Sequence, residues 1–177
     1  MEDEGNLLSR MRKIFSGEME EGEDAAEAVM DMVDEGYRQG VFLSSEAQMI
    51  RNIFAYGEKD AKSIMTHRKH MVALDGEETL ENALTFILEQ NKSRFPVYEE
   101  DIDSIIGTIH LRDAMKCYFN EQLRHIPIKQ LEEYIRPVSF IPETRSIDKL
   151  LKKMQEGKYH MAIVIDEYGQ TAGLVTM

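Results

Sequence analysis

The sequence predicts an α+β fold made of two tandem β-α-β-β-α units preceded by two helices, and an internal duplication predicts it. Ser93-Arg94-Phe95-Pro96-Val97-Tyr98 followed by Gly107-Thr108-Ile109-His110 is answered 66 residues later by Tyr159-His160-Met161-Ala162-Ile163-Val164 followed by Gly173-Leu174-Val175-Thr176. In both copies the centre of the apolar run, Pro96 or Ala162, precedes the glycine by 11 positions, which unrelated strands would rarely share. Upstream, Ile64-Met65-Thr66 matches Ile135-Arg136-Pro137, and the helical pattern Leu80, Ala83, Leu84, Ile87 matches Ile147, Leu150, Leu151, Met154.

Residues 1–24 carry eight acids and three bases around Leu7, Leu8, Met11, Ile14 and Phe15, and are expected to be an acidic flexible leader. Ala25, Ala28, Val29, Met32 and Val33 recur at helical spacing up to Gly36 or Gly40, which predicts an amphipathic helix. Ser45 with Gln48 three residues on reads as a capping box opening a second helix, whose buried stripe is expected at Met49, Ile50, Ile53 and Phe54 before Gly57. Residues 25–57 are therefore expected to be two connector helices. The first repeat, 58–123, should begin with a helical turn over 60–65 and a short strand over 71–74 before Asp75-Gly76. A helix from Leu80 to Gln90 capped by Thr79, a strand over 95–98, a polar loop over 99–104, a strand over 105–109 and a closing helix on Leu111, Ala114, Met115, Tyr118 and Phe119 complete it. The second repeat, 124–177, follows with a strand over 138–141, a helix capped by Ser146 and ending at Gly157, and a hairpin of 162–165 and 172–176 across Asp166-Glu167-Tyr168-Gly169. The counterpart of Leu111–Phe119 is missing after Thr176, so the sequence is expected to be a piece of a longer protein.

At 177 residues, 42% of them hydrophobic, there is material for one module with a shared core. No apolar run approaches the roughly 20 residues that span a bilayer. The lone Cys117 cannot form an internal disulfide and sits in a helical apolar pattern, as a small core residue would. Thirty-three acids against 21 bases give a net charge of −12, which repels a nucleic acid backbone at long range. A single small anion is still compatible, because local Arg, Lys and backbone N–H groups outweigh a diffuse field at short range. There is no phosphate-binding Gly-rich loop ending in Lys-Ser or Lys-Thr, no Gly-x-Ser-x-Gly elbow and no Cys/His cluster, so an enzymatic reading has no support. His67 and His70 lack a metal-spaced partner, and Glu99, Glu100, Asp101 and Asp103 read first as a solvated loop.

Ile64-Met65-Thr66-His67-Arg68, Ser93–Tyr98, Ile106–His110, Arg136-Pro137, the run His160–Gly169 and Gly173–Thr176 resemble a pair of cystathionine-β-synthase-type (CBS) domains, most closely those of the hemolysin-C-like magnesium/cobalt efflux transporters. The resemblance covers about Val41 to Met177; His67 departs from it, standing where the family usually has proline. It implies two CBS repeats related by a pseudo-twofold axis, a homodimer through the pair, and a membrane domain elsewhere in the same parent chain, with the pair on its cytoplasmic side. It also implies two clefts for an adenosine nucleotide, ATP, ADP or AMP, with or without Mg²⁺. One cleft would use Gly107, His110 and Asp113 with Arg136, Pro137, Tyr159, His160 and Ala162. The reciprocal cleft would use Thr66, Lys92, Ser93, Arg94 and Pro96 with Thr176, its ribose-binding acid falling beyond Met177, and would be the one better suited to ATP. A glycine at a strand end admits a ligand to the backbone, a helix N-terminus favours phosphate, and a carboxylate one turn on can accept both ribose hydroxyls. Against this regulatory reading stands a structural dimerisation module whose clefts take no ligand.

Overall fold

The structure, a computed structural model, describes residues 23–177. Residues 1–22 of the expected leader lie outside the described residues, whereas Glu23 and Asp24 already belong to a helix. The chain divides into two compact units, up to Lys59 and from Asp60 onward.

In the first unit, helices α1 (Glu23–Arg38) and α2 (Ser44–Glu58) are joined by a turn in which Gly40 takes a positive φ of 75°. Two expectations for α2 are corrected. Its N-terminus is not capped by Ser45 and Gln48: the Leu43 N–H donates to the Glu46 carboxylate at 2.8 Å, so the helix starts earlier, and only the acidic half of a capping box is made. The stripe Met49, Ile53, Phe54 is exposed. The face turned inward is instead that of Ala47, fully buried, Ile50 and Arg51, whose guanidinium pairs with Asp34 of α1. Close packing on α1, which carries Ala25, Ala26 and Ala28, favours the small residue over the larger apolar ones.

The second unit has the expected α+β architecture. Helix α3 (Ala61–Ile64), capped by Asp60, leads into strand β1 (Thr66–His67), a 3₁₀ turn (Arg68–His70) and strand β2 (Leu74–Asp75). The strand expected over 71–74 thus keeps only its last residue. Helix α4 (Leu80–Glu89) begins at Thr79, whose hydroxyl accepts from the Asn82 N–H. Strands β3 (Arg94–Tyr98) and β4 (Ile105–His110) form the hairpin, and α5 (Leu111–Tyr118) closes the repeat. In the second repeat, strands β5 (Ile135–Arg136) and β6 (Ser139–Pro142) precede α6 (Ile147–Gly157), then hairpin β7 (Met161–Ile165) and β8 (Thr171–Thr176). Ser146 sits at the N-cap of α6, but its side chain makes no capping bond. In the hairpin turn the Asp166 carboxylate accepts from the Tyr168 and Gln170 N–H groups, and Gly169 supplies the positive φ.

The sheets are not partitioned by repeat. One has the order β2-β3-β4-β5 and the other β1-β8-β7-β6, so each repeat contributes its leading two-residue strand to the edge of the other's sheet. Thr66 and His67 lie opposite Leu174 and Gly173, and Arg136 and Ile135 lie opposite Thr108 and Ile109. Gly107 and Gly173, the landmarks of the duplication, are explained by this exchange. A Cβ on Gly107 would lie 2.7 Å from the Arg136 carbonyl oxygen, and one on Gly173 would collide with the Thr66 carbonyl oxygen. A side chain at either position would push the incoming strand away.

Leu80, Ile87, Phe95, Val97 and Ile109 fill the space between the first sheet and helices α4 and α5. Ile141, Leu150, Met154, Val164 and Val175 do so between the second sheet and α6. Ile105 with Met161, Ile163 and Leu174 joins the two sheets. Cys117 is fully buried in the first of these clusters, and burial raises its thiol pKa to about 11, so it is a core residue rather than a nucleophile. Between the repeats, Asp103 ties the β3–β4 loop to the β8 edge: one carboxylate oxygen accepts from the Thr171 N–H at 2.8 Å and lies 3.0 Å from Arg68. The acidic loop therefore has a structural member.

Candidate functional site

Two clefts open at the places where an exchanged strand meets a host hairpin. The first, about 480 Å³, is lined by Arg94, Thr108, His110, Arg112 and Asp113 of the first repeat and by Arg136, Pro137, Val138 and Lys158 to Met161 of the second. The second, about 250 Å³, is lined by Thr66, His70, Met71, Val72 and Asn91 to Arg94 of the first repeat and by His160, Met161, Leu174, Thr176 and Met177 of the second. Each cleft thus draws on both repeats.

The backbone explains the first grouping. Antiparallel pairing sets Arg94 opposite His110 and Thr108 opposite Arg136, which brings three basic side chains to one end of the sheet. His110 is the N-cap of α5, and its Nδ1 accepts from the Arg112 N–H at 3.0 Å. A neutral imidazole bonded this way carries its proton on Nε2, as a donor. Burial, and then the neighbouring Arg94 and Arg112, hold the His110 pKa below its ordinary value, which keeps that form at neutral pH. One turn into the helix Asp113 is buried, 4% exposed, and its Oδ1 accepts from Lys116 Nζ at 3.1 Å while Oδ2 lies 3.5 Å from Arg136. The Lys116 hydrogen bond, with further help from Arg136, lowers its pKa, so the carboxylate is ionised despite burial. Oδ2 has no close donor of its own apart from that long Arg136 contact among the described residues, and so has acceptor capacity to offer. The Tyr159 hydroxyl is buried with no hydrogen-bond partner among the described residues.

Against a net charge of −12, the first cleft gathers Arg94, Arg112, Arg136 and Lys158 around one carboxylate, Asp113. The second has Lys92 and Arg94 and no carboxylate among its lining residues. The charge of both clefts suits an anion, and the first adds one carboxylate acceptor. Among the described residues there is no group of three His, Cys, Asp or Glu side chains suited to hold a metal ion. No described helix is long and apolar enough to cross a membrane.

Of the residues singled out from sequence, His110, Asp113, Arg136, Pro137, Tyr159 and His160 meet in the first cleft, and Thr66, Lys92, Ser93, Arg94 and Thr176 in the second. Three do not line either. Gly107 is occupied by the approach of β5, and Pro96 and Ala162 are fully buried in β3 and β7. Sequence reasoning missed Arg112 and Lys158 in the first cleft and His70 and Asn91 in the second. Lys158 was within reach, because the 66-residue offset places it on Lys92.

The CBS domain family model matches residues 61–120 and 128–177. The UPF0053 protein YugS of Bacillus subtilis is 38% identical over 146 residues, covering 82% of this chain and 33% of its own length. The magnesium and cobalt efflux protein CorC of Vibrio cholerae is 29% identical over 172 residues, 97% of this chain and 56% of the relative. This chain therefore spans about a third to a half of these relatives. Among solved structures, the CBS domain of a bacterial CNNM/CorC family Mg²⁺ transporter in complex with ATP superposes with a TM-score of 0.67 at 40% identity, covering 75% of this chain and 91% of that one.

Proposed function

The chain belongs to the CBS-domain family, as a tandem pair of the CNNM/CorC type, and from that premise we propose that it is the nucleotide-binding regulatory module of a divalent-cation transport protein. The observation that carries the reading is the pair of basic clefts, each built from both repeats, in an otherwise strongly acidic chain. An adenosine nucleotide, ATP, ADP or AMP, with or without Mg²⁺, is the ligand. In the first cleft Arg94, Arg136 and the N-terminus of α5 receive phosphate, His110 donates from Nε2, and Asp113 accepts from the ribose hydroxyls. In the second, Thr66, Lys92, Ser93, Arg94 and Thr176 receive the ligand. The relative with bound ATP supports the choice of nucleotide.

This is a binding role, not a catalytic one. A ligand that touches both repeats favours one packing of the pair over others, and by that differential affinity shifts the balance of states. In the parent protein that shift would pass through the preceding helices to a membrane transport domain, with the CBS pair on the cytoplasmic side. A homodimer through the pair belongs to the same proposal, and exposed Phe86, Phe119, Phe140 and Leu151 supply apolar surface for it.

Titration calorimetry of ATP, ADP and AMP into this chain, with and without Mg²⁺, is the test. Saturable binding that weakens at least tenfold in Arg94→Ala is expected. No heat with any of the three nucleotides would overturn the reading and leave a structural dimerisation module.

A further inference from the structure

Helix α2 turns large apolar side chains to water. Met49 is 58% exposed, Ile53 70% and Phe54 38%, and Leu43 at the N-cap is 68% exposed. Met49 and Ile53 stand one turn apart with Phe54 next in the chain, while Ala47 and Arg51 take the side turned to α1. An apolar row that α1 does not use calls for another cover. The segment that precedes α1 has the matching pattern: Leu7, Leu8, Met11, Ile14 and Phe15 recur at i, i+1, i+4, i+7 and i+8, the spacing of one helical face. We propose that segment 7–15 docks as a helix on the exposed face of α2 marked by Met49 and Ile53, closing α1 and α2 into a three-helix unit.

Charge and reach both favour this occupant. The acids of the leader lie at 2–4 and 18–24, whereas 7–15 carries Arg10, Arg12 and Lys13 and no acid, a local charge of +3. The α1–α2 hairpin has eight acids against Arg38 and Arg51, a net of −6, and both of those bases are already paired, with Glu35 and Asp34. At about 100° per residue, Arg10 and Arg12 fall on the two flanks of the apolar face, so they border the seam and meet acids of the hairpin without entering it. Such rim pairs are individually weak; apolar burial holds the segment and charge selects it. The Asp34–Arg51 pair fastens α1 and α2 as a hairpin, so Glu23 lies toward the C-terminal end of α2, near Ile53 and Phe54. Packed helices stand about 8–10 Å apart, which puts a helix on the far side of α2 about 16–20 Å from α1. Residues 16–22 can extend to about 23–25 Å and cross that gap. A tether this short gives an effective concentration on the order of millimolar, which sets the chain's own segment ahead of a second copy.

The test reads the α2 face in the full chain through Met49→Cys, which leaves Ile53 and Phe54 in place. Cys117 is buried with its thiol pKa at about 11 and does not compete for Ellman's reagent. Met49→Cys should react at least tenfold slower than the same cysteine in a chain that also carries Leu8→Glu and Met11→Glu. The protection should survive tenfold dilution and weaken in Arg10→Glu/Arg12→Glu. In a second measurement, Met11→Cys with Met49→Cys should form a disulfide within one chain under mild oxidation. Equal labelling rates with and without Leu8→Glu/Met11→Glu, or no disulfide within the chain, would overturn the docking. Protection lost on dilution together with disulfides between chains would overturn it in favour of a second copy as the cover. Protection that appears only with anionic lipid vesicles would overturn it in favour of a membrane surface.

Discussion

Gly107→Ala is the sharpest probe of the strand exchange on which both clefts depend. The added methyl would lie 2.5 Å from Ile135 Cγ2 and 2.7 Å from the Arg136 carbonyl oxygen. The isoleucine can adjust its rotamer, but the carbonyl moves only with its strand, and β5 is held to β4 by just two register pairs. Overpacking of this kind costs about 1–3 kcal/mol. At about 2.1 cal/mol/K per residue, a unit of roughly 120 residues has an unfolding entropy near 0.25 kcal/mol/K, so a loss of about 2 kcal/mol lowers Tm by about 8 °C. Because Arg136 and Pro137 follow from β5 into the first cleft, nucleotide affinity there should fall with stability. Gly173→Ala should have the same thermal effect through β1 and Thr66, and should act on the second cleft instead. Circular dichroism melts followed by nucleotide titration of both variants read this out. A Gly107→Ala protein that melts within a degree of the parent and binds identically would refute the claim that close strand approach is what these glycines provide.

Burial of the Cys117 thiol and its raised pKa predict that Ellman's reagent at pH 8 leaves the folded protein unlabelled and labels one thiol per chain in denaturant; fast labelling without denaturant would contradict the packing. Asp113→Asn should destabilise the protein at pH 7 by about 1 kcal/mol, since an ion pair with the exposed Lys116 is replaced by a weaker hydrogen bond from its ammonium to an amide oxygen. The Asp113 pKa is depressed in the fold, so its contribution is complete above the ordinary value near 3.9 and disappears as pH falls through the folded pKa; the gap between parent and variant in urea melts should close on acidification. Asp103→Ala removes the acceptor of the Thr171 N–H and the partner of Arg68, and should speed hydrogen exchange at Thr171 without altering exchange in α4.

Most helices and both hairpins were legible because each carries its signal locally. Thr79 before Leu80, Gly157 after Met154, and Asp166 to Gly169 between two apolar runs act within a turn of themselves. The duplication extended that reach, matching Met65-Thr66 to Arg136-Pro137 before any sheet was known. It could not say that these two-residue strands leave their own repeat. A strand that short has no periodicity, and its partner is chosen by a gap in a sheet edge contributed more than a hundred residues away in the case of Thr66 and Leu174. For the same reason the sequence suggests room for a ligand at Gly107, whereas Ile135 and Arg136 of the neighbouring strand take that space. In α2 the misreading has the opposite origin: Met49, Ile53 and Phe54 form a good apolar stripe, but the helix turns Ala47 and Arg51 toward α1. Hydrophobic spacing shows that a face exists, and the neighbour decides which face is used.

The exchange also explains why the clefts are composite. If each repeat kept its leading strand, Thr108 would have no Arg136 opposite it and Leu174 no Thr66. Each ligand pocket would then be lined by one repeat, and filling it would leave the relation between the repeats unchanged. With the strands crossed, each cleft includes a host hairpin end, the guest strand or its following residues, and the approach to the other hairpin. A phosphate bridging Arg94 and Arg136 would therefore tie β3 of the first repeat to the guest strand β5, which reaches it through the β4–β5 pairing. Binding energy gained there counts as stability of one arrangement of the pair, which is the property a regulatory module needs and a passive spacer does not.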